Sequence, residues 1–321
     1  MITLTTRPYV GERDLAALTE LLNQVSQAHN LDDTYAEEDL RLEFADPRVD
    51  PARDLRLWED ADGRLVAFGQ AWLPPESETI DAFLYWRVHP SAEGSGVEDE
   101  LFEWGAERIR TFARERGRPA RMICSAREHH AYALGVMQRQ GMAPERYFFQ
   151  MRRPLDQPLE PAELPAGFEL RHVAGSADVA GWVDAYNLSF IDHWNHHPAT
   201  IESHSHWLQH PSYQPELDLI GLADDGTVAA ICFCQIDPAE NERNGRNDGW
   251  IATLGTRRGY RKRGLGRGML LSGLHRLKAA GMSGARLNVD AASPTGALAL
   301  YESVGFRTLV ATVAFGKDLS A

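Results

Sequence analysis

Apolar and polar positions recur in two similar stretches of the chain, and the same order of elements can be read from each. In the first, Leu15, Leu18, Leu21 and Leu22 form one apolar stripe, which predicts a helical region over residues 7–43. Leu55-Arg56-Leu57-Trp58 and residues 65–72 flank the turn Asp60-Ala61-Asp62-Gly63, a β-hairpin pattern. Residues 80–88 read as a strand, followed by the loop 89–96 and a helix with Val97, Leu101, Trp104 and Ile109 on one side. Another strand covers 120–124, and a last helix ends at Gly141-Met142.

The second stretch repeats this order. Residues 219–223, the turn Asp224-Asp225-Gly226 and residues 228–236 form the hairpin, and 250–256 the next strand. A glycine loop, a helix carrying Leu270, Leu274 and Leu277, and a strand with Leu287 and Val289 on one face follow. Gly305-Phe306 matches Gly141-Met142. Two copies of one α+β unit, each of about 150 residues, account for the pattern. Pro154, Pro158, Pro161 and Pro165 predict a semi-extended linker between them. The expected organisation is therefore a first domain at 1–153, a linker at 154–166 and a second domain at 167–321.

Composition narrows the class without changing that picture. A chain of 321 residues with 43% hydrophobic and 25% charged residues is ordinary for a globular protein. A net charge of −13 argues against nucleic acid as a partner, since binding its backbone needs a basic surface. No apolar run reaches the length of a membrane span, and residues 1–7 lack the apolar core of a leader peptide. Three cysteines cannot build a disulfide framework, so a reducing, cytoplasmic protein is expected. No feature specifies an oligomeric state.

Against this acidic balance, residues 257–267 carry six cations, three glycines and no acid. An apolar strand precedes them and a helix follows. Strand, basic glycine turn and helix start make an anion trap: unpaired N–H groups of the first helical turn and the helix dipole both favour negative charge. Within it, Arg261-x-x-Gly264-x-Gly266 resembles the acyl-CoA pyrophosphate loop of the GCN5-related N-acetyltransferase (GNAT) family. One helix and one strand later, Leu300-Tyr301-Glu302-x-x-Gly305-Phe306 resembles the same family's second signature. Ser293 departs from the asparagine that usually precedes Pro-Thr-Gly-Ala in these proteins.

The resemblance implies two tandem GNAT-like domains, each a mixed, mostly antiparallel sheet flanked by helices. It also implies acetyl-CoA as co-substrate and transfer of its acetyl group to a primary amine of a small molecule, by direct attack in the second domain. Arg261, Lys262, Arg263, Gly264, Leu265, Gly266 and Arg267 would bind the pyrophosphate, mainly through main-chain N–H groups, with side chains adding potential. Leu254, Gly255 and Thr256 would hydrogen-bond the pantetheine arm where their strand splays from the next, an N–H near Leu254 meeting the oxyanion. Asn288, Ala297 and Phe306 would lie along the coenzyme, and Tyr301 would reprotonate the departing thiolate. Read without its setting, Tyr301 is a core ring with a surface hydroxyl.

Other candidates come from position. Asp248 is in strand phase with Trp250, Ala252 and Leu254, which would aim it at the cleft as general base. Its alternatives are a solvated strand-end aspartate, or water as the base while a carboxylate such as Asp290 holds the substrate's ammonium. His193 and Trp194, in a histidine-rich segment, are expected on the acceptor-side wall. The i,i+4 pairs His193/His197 and His206/His210 could hold zinc, but no His-Glu-x-x-His pattern supports them and no metal is expected. The first copy lacks the basic loop, places Glu93, Glu98, Asp99 and Glu100 there, and has Met137 where the second has Tyr301. It reads as a degenerate scaffold. The rival functions are a non-catalytic acyl-CoA-binding or regulatory module, and an acyltransferase using a longer acyl chain.

Overall fold

The computed structural model describes residues 4–74, 79–194, 196–210 and 213–319. In chain order the elements are β1 (Thr5–Pro8), α1 (Glu12–His29), α2 (Glu37–Phe44), α3 (Pro51–Asp54), β2 (Leu55–Glu59), β3 (Leu65–Trp72), β4 (Ile80–Val88), α4 (Val97–Arg116), β5 (Ala120–Arg127), α5 (Ala131–Arg139) and β6 (Ala143–Pro154). Then come β7 (Phe168–His172), α6 (Val179–Phe190), α7 (Ile201–Trp207), β8 (Asp218–Ala223), β9 (Val228–Gln235), α8 (Pro238–Arg243), β10 (Asp248–Thr256), α9 (Leu265–Ala279), β11 (Gly284–Asp290), α10 (Ala297–Ser303) and β12 (Arg307–Asp318).

These elements build two compact units, residues 1–147 with 312–321, and residues 148–311. In the first, the sheet runs β1-β2-β3-β4-β5 and is completed by residues 312–318 of β12, with only β4 and β5 parallel. In the second it runs β6-β11-β10-β9-β8-β7, with only β10 and β11 parallel. Both hairpins are as the sequence pattern predicts, and the mixed, mostly antiparallel sheet of each unit is as the family resemblance implies.

Leu15, Leu18, Leu21 and Leu22 are all buried and pack α1 against Phe44, Leu57 and Phe68. At about 2 kcal/mol for each leucine removed from water, this stripe is enough to seat α1 on its sheet. The region 7–43 is nevertheless not one helix. Pro8 closes a strand, and α1 stops at Asn30, whose left-handed φ of 52° is a C-terminal cap. In the second unit Leu270, Leu274 and Leu277 are fully buried beneath α9.

The domain limits differ from the sequence expectation, because strand pairing reaches across the boundary at 153. Residues 148–154 of β6 pair with all of β11 and belong to the second unit, while Thr312–Asp318 pair with Arg121–Arg127 in the first. The segment 154–166 is not a free linker either. Leu155 is buried in the second unit's core, and Leu159 and Leu164 pack against that core. The buried Arg153 donates to the carbonyls of Val304, Pro154 and Pro158. After Pro154, which ends β6, the prolines keep this segment out of helix and sheet, and that leaves carbonyls available to a guanidinium.

Candidate active site

The site of the second unit begins where two strands part. β10 pairs with β11 only at Asp248↔Gly284, Gly249↔Ala285 and Trp250↔Arg286, yet β11 continues to Asp290. On its other side β10 stays paired with β9, after a bulge between Ile251 and Thr253, through Leu254↔Cys232, Gly255↔Ile231 and Thr256↔Ala230. From Thr253 to Thr256, therefore, the edge of β10 that faces β11 has no strand partner. Main-chain groups without a strand partner there offer a template for an extended ligand, the Thr256 carbonyl already accepting from Arg261 Nε.

That open edge runs directly into the basic loop. Gly259 (φ 97°), Lys262 (φ 62°) and Gly264 (φ 85°) all take left-handed backbone conformations. Such a conformation costs a residue with a Cβ about 1 kcal/mol, so the strain at Lys262 marks a loop held for a purpose. Gly264 caps α9 without any side-chain hydrogen bond to the first turn, so the helix's leading N–H groups point outward uncapped. At Gly266 a Cβ would lie 3.2 Å from Thr256 Oγ1, so glycine keeps this approach open.

The cations of the loop are not all available to a ligand, which corrects the expectation that they act together. Arg257 pairs with Asp184 at 2.5 Å, and Arg258 pairs with Asp192. Arg261 binds Asp192 at 2.8 Å and the carbonyls of Thr256 and Ser189, so its guanidinium braces the loop from behind. Arg267 forks onto Glu160 at 2.8 and 2.9 Å and also reaches Ser303 Oγ. Among the described residues Lys262 and Arg263 meet no carboxylate; both are exposed, with Arg263 5.5 Å from the Tyr260 ring.

Arg267 and Ser303 tie the start of α9 to α10, and α10 carries Tyr301. The ring is buried, edge-on to Phe306 with centroids 5.9 Å apart. Burial first, and the nearby Cys232 thiol second, push its hydroxyl well above the usual tyrosine range. Cys232 is the register partner of Leu254, so the protonated phenol lies beside the strand pair that borders the gap. Phe306, expected along a coenzyme, is instead fully buried: its ring supports Tyr301 from the core. Asn288 is exposed on the face of β11 opposite Leu287 and Val289, and Ala297 opens α10, half-buried.

Asp248 is misread by the phase argument, because the bulge at 251–253 shifts the alternation beyond it. It lies at the closed root of the gap. Its buried carboxylate takes two hydrogen bonds from Arg152, at 2.8 and 2.7 Å, and one from Arg286 Nε at 2.8 Å. Asn241 clamps its main chain from both sides. Burial alone would raise its pKa, but the two guanidiniums outweigh that and hold it below the usual carboxylate range. A carboxylate so paired is a poor proton acceptor. Arg152, Arg286 and Gln150, which accepts from Arg286 at 3.1 Å, were missed by sequence reasoning. The doublet Arg152-Arg153 beside an unmatched acidic strand start was the available signal.

Of the acceptor-side candidates, Trp194 and Asp290 share a neighbour in Phe148, and His193 contacts Phe190. Trp194 packs on Phe148 with ring centroids 5.7 Å apart, and Phe148 is the register partner of Asp290. His193 lies edge-on to Phe190, 5.8 Å away, and its Nδ1 is 3.0 Å from the carbonyl of Trp194. Asp290 is buried, with Oδ1 accepting from the N–H of Ala292. Among the described residues no group of three or more His, Cys, Asp or Glu side chains could hold a metal ion. His204 stacks on Trp182, centroids 3.9 Å apart. No described helix is long and apolar enough to cross a membrane.

Known proteins share this architecture. Residues 179–306 match the model of the Acetyltransferase (GNAT) family. A mycothiol acetyltransferase of Thermomonospora curvata is 30% identical over 234 residues, 69% of this chain and 74% of that protein. One from Thermobispora bispora is 29% identical over 259 residues, 79% and 80% of the two chains. A GCN5-related N-acetyltransferase from Sphaerobacter thermophilus superposes with a TM-score of 0.72 at 25% identity, over 99% of this chain and 96% of its own. A tandem GNAT protein from the clavulanic acid biosynthesis pathway has the same fold, with a TM-score of 0.70 at 14% identity over 99% of each chain. The open edge of β10, the uncapped start of α9 and these relatives together place the chain in the GNAT acetyltransferase family, as a tandem, acyl-CoA-dependent N-acetyltransferase.

Proposed function

We propose that the second unit performs the transfer, and that the acceptor is a small primary amine. The observation that carries this reading is the unpaired stretch of β10 from Thr253 to Thr256, continuous with the uncapped first turn of α9. Bound acetyl-CoA supplies the acetyl group as a thioester. The N–H groups of Gly264, Leu265, Gly266 and Arg267 would hold its diphosphate, with Lys262 and Arg263 adding positive potential and Arg261 keeping the loop in shape. The main chain of Leu254, Gly255 and Thr256 would take the pantetheine arm as a further strand does. An N–H near Leu254 would donate to the carbonyl oxygen as negative charge builds there, a fixed donor in a partly dry gap.

An amine reacts only as the free base, and Asp248 is committed to its arginines. Water is therefore the proton acceptor we assign, with Asp290 orienting the incoming ammonium and His193 and Trp194 forming the wall it passes. Tyr301, neutral across the working range, would give its proton to the departing thiolate. Because the relatives are named mycothiol acetyltransferases, a mycothiol-type amine heads the acceptors to try. A reducing, cytoplasmic setting fits the three free, buried cysteines. The test is thiol release from acetyl-CoA across a panel of amines. Turnover on a small polyhydroxy or cationic amine is expected; CoA binding with no turnover on any amine would leave only a binding module.

A further inference from the structure

The first unit has the same loop, and the loop is already filled. Gly96 caps α4 with φ 99° and ψ −4°, against 85° and −6° at Gly264 before α9. Two residues earlier, Gly94 (φ 73°) takes the left-handed turn that Lys262 (φ 62°) takes in the second unit. The backbone path of the anion cradle is thus kept. What differs is the residue two after the cap, which is Gly266 in the second unit and Glu98 in the first.

The Glu98 carboxylate turns back into its own cradle. Oε1 accepts from the N–H of Gly94 at 2.6 Å and from the Tyr132 hydroxyl at 2.5 Å, and Oε2 accepts from the N–H of Gly96 at 3.3 Å. The residue is 4% exposed. Burial alone would raise its pKa, but the Tyr132 hydroxyl and these main-chain donors outweigh that and keep it ionised. Beside it, Glu93 is taken by His29 at 2.6 Å, and residues 89–97 contain no lysine or arginine.

We propose that the Glu98 carboxylate stands in for a diphosphate in the first unit and shuts that unit to CoA. An incoming diphosphate would have to displace an anion that is buried, covalently tethered and served by three donors. It would find no guanidinium or ammonium in the loop to offset the exchange. The acidic helix start is therefore more than a source of repulsion: one of its carboxylates is the occupant. This rests on reading residues 257–267 as the coenzyme loop, and the test separates the two ideas.

Calorimetric titration of the full chain with CoA should give one site in the parent, two in Glu98→Gly, none in Gly264→Glu and one in the double variant. Two sites in the parent, or no added site in folded Glu98→Gly, would overturn the proposal. Unchanged CoA binding in Gly264→Glu, while Glu98→Gly still gains a site, would sink the coenzyme-loop reading and leave the Glu98 closure standing. A readout that needs no change at Glu98 uses glycine-labelled parent protein. Saturating CoA should move the amide resonances of Gly264 and Gly266 and leave those of Gly94 and Gly96 in place. Movement of Gly94 and Gly96 would refute the closure.

Discussion

Replacing Asp248 with asparagine separates a structural carboxylate from a catalytic one. The side chain is 1% exposed and faces Arg286, at 11%, and Arg152, at 29%. With charge centres about 4 Å apart and an effective dielectric near 20, each pair is worth about 4 kcal/mol before desolvation. Several kcal/mol of burial cost offset that gain while the centre is intact. Asparagine keeps the shape but removes the charge and turns an N–H toward one guanidinium, leaving two cations over one site without an anion. Breaking such a centre costs about 3–5 kcal/mol, and the partial exposure of Arg152 places the expected loss near 3.

Denaturant unfolding of Asp248→Asn against the parent measures it. The carboxylate's pKa is depressed in the folded state, so its contribution is present above the unfolded value of about 3.9 and is lost as pH falls below that. The stability gap between the two proteins should therefore be full at neutral pH and close below about pH 4. Variant that remains folded should keep the parent's pH dependence of kcat. A loss under about 1 kcal/mol, together with a collapse of kcat and a vanished acidic limb, would show that Asp248 is the base after all.

Two further outcomes test other parts of the molecule. Tyr301→Phe should lower kcat on the order of 10²-fold, as expected for a lost general acid, with KM for acetyl-CoA unchanged; an equal rate across pH would hand the proton to water. His204 is held at about 4 by burial, so its stability contribution is present above pH 6.5 and is lost as pH falls toward 4. Burial lifts Asp218 to about 6 against weaker lowering by Trp182 and Tyr213, so its contribution is present below about pH 4 and is lost as pH rises through 6. Each effect is on the order of 3 kcal/mol and the two oppose one another. His204→Phe should thus become more stable from pH 6 to 4, and urea unfolding in which it falls in parallel with the parent would contradict this.

What could be read from the chain was local. The hairpins at 55–72 and 219–236, the glycine loop and the helix of Tyr301 each announce themselves within a short, continuous stretch of chain. Asp248 could not be read that way: its partners lie 96 residues before it and 38 after, and a bulge breaks the alternation used to aim it. Phe306 belongs to the family's signature, yet its ring serves the core. The acidic start of α4 was visible as charge, but that Glu98 folds back between Gly94 and Gly96 depends on two left-handed turns that no pattern of polarity reveals.

The exchange of final strands also orders events in time. The first unit cannot close its sheet until residues 312–318 have been synthesised, with the whole second unit lying between them and β5. The nascent chain must carry an unfinished edge at β5 through most of its synthesis, whereas the second unit can assemble as soon as residue 311 is free. A scission at 153 would accordingly yield no autonomous half: one fragment would lack its closing strand, the other the ribbon on which β11 lies.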